Sequence, residues 1–132
     1  MIRAVLADAT PLYAAADESD SYHERSLREL RDLIDDQRQV LVAYPTLLET
    51  HSLVLKHMGT ISASRWLSYM ADMTLVNPVA EDYRQAMMKV QAFSDQNISL
   101  FDATVATVAA RLGLEVWTYD HHFDVMRVPV WR

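Results

Sequence analysis

An α/β fold around a mostly parallel sheet is what this chain predicts, and three observations point to it. Short apolar runs alternate with helical segments along the whole length, as when parallel strands are joined by crossover helices that cover both faces of the sheet. Gly and Pro are scarce, at 2 and 4 in 132 residues, which disfavours a turn-rich all-β fold and favours long helices. Hydrophobic residues make up 51% of the chain, enough for a packed core, and the length fits one domain over 1–132.

The first element is a buried strand over Ile2–Ala7, "IRAVLA", followed at once by Asp8. Pro11 suits the first turn of a short helix over Leu12–Ala16. An acidic loop, Asp17–Asp20, leads to "SYHERSLRELRDLIDD". There Leu27, Leu30, Leu33 and Ile34 follow helical periodicity, and Ser21 and Glu24 have capping-box spacing. "VLVAY", Val40–Tyr44, is a second buried strand. Pro45 separates it from a helix over Thr46–Met58, which Gly59 ends. A further helical piece covers Ser62–Met70, and "MTLVNP" supplies a third short strand stopped by Asn77-Pro78. An amphipathic helix follows over Val79–Phe93. The helix over Phe101–Leu112 has almost no polar face and must be buried, with Gly113 just past its end. "EVWTY", Glu115–Tyr119, is the fourth strand. "VPVW" is a candidate fifth, confined to an edge by Pro129. The sheet therefore has four to five strands.

Composition removes several functions. With no cysteine there is neither a disulfide framework nor a thiolate metal site. The opening "MIRAVLADATPLYAAAD" superficially mimics an export signal, but Asp8 and Pro11 interrupt its apolar stretch. No run approaches a membrane span, so a cytoplasmic protein without membrane contact is expected. A net charge of −6 is not the footprint of a protein that coats nucleic acid, although it leaves room for a local site where a metal or an arginine meets phosphate. The chain lacks a phosphate-cradling glycine loop, a Gly-x-Ser-x-Gly elbow and a His-Glu-x-x-His pair. His51 and His57 are wrongly spaced for a zinc pair. His121 and His122, as sequence neighbours, are expected to point apart.

The acids carry the functional signal. Sites in parallel sheets form beyond the carboxyl ends of the strands. Asp8 follows the first strand and Asp120 follows the fourth. Glu49 and Asp102 lie in the first turns of helices whose starts face that same end. Each acid also has a local reading. Thr46–Glu49 and Ser99–Asp102 have capping-box spacing, Asp8 is placed to cap the helix after it, and Asp120 to close a turn. What favours a site is that all four fall at one end of the sheet. Clustered carboxylates repel and raise one another's pKa, and a divalent cation among them removes that conflict; an all-oxygen set suits Mg²⁺ or Mn²⁺. Tyr13, Tyr44 and Tyr119 lie near this end and are candidates for stacking on a base.

Taken together, "VLADATPLYAAAD", "YPTLLETHSLVLKHMG" and "ISLFDATVATVAARLGLEVWTYDHHF" resemble the PIN-domain nucleases, and particularly the small VapC-like toxins of toxin–antitoxin pairs. The resemblance covers nearly the whole chain and rests on the ordered set rather than on any single motif. It implies an α/β/α sandwich and a Mg²⁺- or Mn²⁺-dependent endoribonuclease. By it, Asp8, Glu49, Asp102 and Asp120 form the catalytic quartet, and Asp8, Asp102 and Asp120 hold the metal. Thr10, Thr118 and Asp124 are supporting residues. It also implies an RNA substrate, a homodimer and a restraining antitoxin, with Arg25, Arg28, Lys56 and Arg65 as candidate RNA contacts. The chain departs from the family's commoner pattern where Ala9 separates Asp8 from Thr10, and where Phe101 is bulkier than the residue usual before the helix acid. Other readings are a non-catalytic PIN-like binding module and a stand-alone RNA-processing nuclease. A haloacid-dehalogenase-like phosphatase needs a second Asp where this chain has Thr10.

Overall fold

The computed structural model describes residues 3–132. Its elements run β1 (Ala4–Ala7), α1 (Ala9–Ala16), α2 (His23–Asp35), β2 (Gln39–Ala43), α3 (Tyr44–Met58), α4 (Thr60–Met70), β3 (Thr74–Val76), α5 (Ala80–Ala92), α6 (Leu100–Leu112), β4 (Glu115–Trp117) and α7 (His122–Val125). The four strands form one sheet in the order β3-β2-β1-β4, and every neighbouring pair is parallel. β1 lies between two partners: Leu6 registers against Leu41 on one side and Val116 on the other.

Side chains alternate between the faces of a strand, so one apolar run feeds two cores. Ala4 and Leu6 pack with Leu41 and Val116 against α5, α6 and α7, where Ala86, Val105, Val108 and Phe123 are buried. Val5 and Ala7 pack with Val42 and Trp117 on the opposite face, against Leu12, Leu33, Val54 and Trp66 of α1 to α4. Helices therefore cover both faces, giving the three-layer sandwich. In α6 every residue from Asp102 to Ala109 is buried, as its missing polar face predicts. Gly113 ends α6 with φ of 68°, a left-handed conformation that a Cβ would strain. Among the described residues no helix is long and apolar enough to cross a membrane.

Several boundaries differ from expectation, each for a local reason. Ile2, expected to open the first strand, lies outside the described residues. α1 begins at Ala9 rather than Leu12, which leaves Pro11 within the first turn, where its missing N–H costs nothing. The Ser21–Glu24 capping box does not form. Asp17 instead accepts from Ser19 N at 2.9 Å and Asp20 from Tyr22 N at 2.8 Å, so the acidic loop closes on itself and Tyr22 becomes the N-cap of α2. α3 starts at Tyr44, which ends β2 at Ala43 and puts Thr46 inside the helix, so Thr46 and Glu49 do not cap. β4 stops at Trp117. The candidate fifth strand is a single parallel bridge, Val116 to Val130.

Candidate active site

In this strand order the chain leaves β1 toward β2 on one side and reaches β4 last on the other. That reversal opens a crevice at the carboxyl ends of β1 and β4. Asp8 sits at its base, 2% exposed, with its N–H donating to Trp117 O at 2.9 Å. It holds the N-cap position of α1, yet its carboxylate makes no cap bond. Two threonines take it instead. Thr118 Oγ1 donates to Asp8 Oδ2 at 2.8 Å and Thr10 Oγ1 donates to the same oxygen at 3.1 Å. The same hydroxyls accept from backbone: Thr118 from Asp120 N and Thr10 from Tyr119 N, both at 3.0 Å. Each hydroxyl has one proton, spent on Asp8, so the 3.4 Å approach between the two is a contact rather than a third bond. This stitch explains the shortness of β4, because the N–H groups after Trp117 go to hydroxyls instead of a ladder.

Asp102 comes from the first turn of α6. Ser99 caps that helix by accepting from Asp102 N at 3.1 Å, and the return half of a capping box is missing, so the Asp102 carboxylate turns to the crevice. Glu49 reaches in from α3. Asp8, Glu49, Asp102, Asp120 and Thr10 line one cavity of about 400 Å³. Burial, with the neighbouring Asp8 and Asp120 charges, pushes Glu49 up to about 7. Burial with the same two neighbours pushes Asp102 up to about 8. Asp8 is also raised, by burial, against the opposing pull of the Thr118 and Thr10 hydroxyls. These shifts come from carboxylates that are buried and that repel one another.

The histidines correct an expectation. His121 and His122 do not point apart: their rings lie 4.3 Å centre to centre, on the helical turn that opens α7. Neighbours diverge on a strand, whereas here both rings fold back on Asp120. His122 Nδ1 lies 3.2 Å from Asp120 Oδ1 and 3.9 Å from Asp102 Oδ2. It is buried, out of line for a hydrogen bond with Asp120 and too far from Asp102 for one. Asp120 Oδ1 is already bonded to His122 N at 2.9 Å. Asp120, His121 and His122 each bring one ligand atom within 4.8 Å of the others. A set of carboxylates with one unpartnered imidazole nitrogen has the donor chemistry to hold a divalent cation.

Asp124 points elsewhere: its carboxylate pairs with Arg132 at 3.0 Å, and it does not line the cavity. Tyr44 is exposed at the start of α3 and also stays outside, whereas Tyr13 and Tyr119 line the cavity. Arg28, Lys56 and Arg65 are absent from its walls, and Arg25 reaches the rim by stacking on Tyr119. The residues that sequence reasoning missed are His122, Ser99, Asp20 and Tyr22. For Ser99 the signal was present, as a capping residue; for the others only the folded loops bring them in.

A parallel sandwich that gathers four carboxylates at its switch point defines a class of small α/β domains with an acidic crevice beyond the strand ends. The PIN domain family model matches residues 5–129, and the chain belongs to that family. Solved structures of the same fold cover nearly all of it. VapC20 of Mycobacterium tuberculosis, a Sarcin-Ricin loop cleaving toxin, aligns over 97% of this chain and 98% of its own, with TM-score 0.85 and 18% identity. VapBC2 of Rickettsia felis, bound to a DNA fragment from its promoter, aligns over 98% and 97%, with TM-score 0.72 and 12% identity. FitAcB of Neisseria gonorrhoeae aligns over 97% and 96%, with TM-score 0.69 and 19% identity. No curated protein matches significantly.

Proposed function

We propose that this chain is a divalent-metal-dependent endoribonuclease and the toxin of a toxin–antitoxin pair. The observation that carries the reading is the convergence of Asp8, Glu49, Asp102 and Asp120 on one cavity, where burial and the neighbouring charges raise Asp8, Glu49 and Asp102. Asp8, Asp102 and Asp120 would hold Mg²⁺ or Mn²⁺, with His122 beside them. The bound ion supplies Lewis acidity toward a phosphodiester oxygen and lowers the pKa of a water. The chain's own groups do the rest. Thr10 and Thr118 lock Asp8 Oδ2, and Oδ1, which takes neither hydroxyl, would be left for the ion. Glu49 reaches the same cavity from α3 and, with the ion bound, would accept a proton from the attacking water. Asp124, held by Arg132, would support only the outer edge of α7.

The partner reading draws on the antitoxin complexes among the similar structures and on a second surface of this chain. An apolar groove of about 870 Å³ opens between α1, α2, α3 and α4, lined by Leu12, Leu27, Leu30, Val54, Met58 and Trp66. It is suited to an antitoxin segment. A cytoplasmic homodimer is part of the same proposal.

The test is RNA cleavage by the purified, partner-free chain with Mg²⁺ or Mn²⁺ and with chelator. Cleavage that needs the metal and is lost in Asp8→Asn and Asp102→Asn is the expected result. Equal cleavage by those variants defeats the site assignment. Saturable RNA binding without cleavage favours the binding module.

A further inference from the structure

At the rim of the acid cavity, Tyr22, Arg25, Glu29 and Tyr119 form a cluster that the proposed hydrolysis does not use. Glu29 Oε1 accepts from the Tyr119 hydroxyl at 2.6 Å and from Trp117 Nε1 at 3.1 Å. Its other oxygen accepts from Arg25 Nε at 3.4 Å. Tyr119 is thereby fixed from behind, one residue before Asp120. The Tyr22 ring lies 4.9 Å from the Tyr119 ring, tilted by 36°. The Arg25 guanidinium sits 4.4 Å from the Tyr119 centroid and 5.8 Å from that of Tyr22. Both tyrosines line the cavity, and Tyr22 remains 46% exposed.

An exposed tyrosine gains little from water, and this one adjoins both a pinned aromatic and a cation at the mouth of a phosphate-directed site. We propose that Tyr22 is a stacking platform for the base of a single-stranded nucleotide next to the scissile phosphate, with Arg25 facing that nucleotide's backbone. The proposal rests on the ribonuclease reading and adds to it a contact for the base beside the scissile phosphate. A duplex keeps its bases stacked inside, out of reach of the ring, whereas an unpaired base presents a free face. The platform also bears on the acidity of the chain. Stacking attracts any base without requiring a basic surface, and Arg25 places one positive charge beside a cavity ringed by carboxylates. Tyr119 and Glu29 are positioning residues: they hold Tyr22 and Arg25 where the base arrives.

The test measures binding of a short labelled oligoriboadenylate, and of its abasic counterpart, to the full chain carrying Asp8→Asn so that turnover does not interfere. Tyr22→Ala should weaken binding of the base-bearing oligomer about tenfold, as expected for one stacked base, and leave the abasic oligomer unchanged. Tyr22→Phe, which keeps the ring, should bind like the parent. Arg25→Gln should weaken both oligomers and lower the salt dependence. Unchanged binding in Tyr22→Ala, or an equal loss for both oligomers, overturns the platform. If the unsubstituted chain meanwhile cleaves RNA with Mn²⁺, the ribonuclease reading stands without it. Absence of both oligomer binding and cleavage overturns the two together.

Discussion

The Asp8–Thr10–Thr118 knot is where single residues decide most. Two hydroxyls from distant parts of the chain share one carboxylate oxygen, and each also accepts a backbone N–H. Thr118→Val keeps the shape and removes the hydroxyl, leaving Asp120 N without its acceptor and Asp8 with one bond fewer. Denaturant melts should report a loss of about 1–3 kcal/mol, the usual cost of an orphaned buried group, and Thr118→Ser should recover most of it. At this scale the sequence was uneven. Asp8 and Asp102 were legible because each directly follows or opens a strongly apolar element. His122 was not, because the expectation that neighbours diverge holds for a strand, and Tyr119 to Val125 turn instead into α7. Tyr22 was hidden for a similar reason: Asp17 and Asp20 fold the acidic loop back on itself, and no local pattern says where its end will land.

Among elements, α6 shows how a helix with no polar face is set. Its buried run from Asp102 to Ala109 is flanked by Ser99 at one cap and Gly113 at the other, all readable as sequence signals. Its alignment with α5 rests on an ion pair that sequence does not announce. Arg111 donates to both oxygens of Asp82 at 2.8 Å, and Asp82 also accepts from Val79 N at the start of α5. Arg111→Leu leaves the buried Asp82 without its cation and should lower Tm. Asp82→Leu with Arg111→Leu should recover part of the loss, because the pair is removed as a unit. The Arg111 guanidinium holds Asp82 below its ordinary value, so this contribution is present above the unfolded pKa and fades as pH falls. Strand ends were placed too late for a plain reason. "VLVAY" and "EVWTY" keep β propensity to the end, but tertiary hydrogen bonds claim Thr118 to Asp120, and Tyr44 joins a helix.

For the whole molecule, the gathered acids set stability against function. Asp102 and Glu49 bind a proton more tightly in the fold than in the unfolded chain, with ordinary values of 3.8 and 4.5 raised to about 8 and about 7. The native state therefore holds the extra protons across that window, and metal-free stability should fall as pH rises through it. Melting in chelator should give a lower Tm near pH 8 than near pH 5, and Asp102→Asn should flatten the trend. A bound cation reverses the sign, because it replaces those protons and stabilises only the native state. The net charge of −6 is compatible with the proposed function, in which charge for the substrate would come from a metal and a few arginines rather than from the surface. The alternation of strands and helices made this architecture legible. The meeting of four acids followed from topology, since a parallel sheet sends its strand ends and helix starts to one side.

The central claim, that these carboxylates hold a divalent cation, is tested most directly by calorimetric titration of Mn²⁺ into the partner-free chain near pH 7. Saturable binding with release of protons, lost in Asp102→Asn, is the predicted result; heats that never saturate, or that are the same in Asp102→Asn, would contradict it.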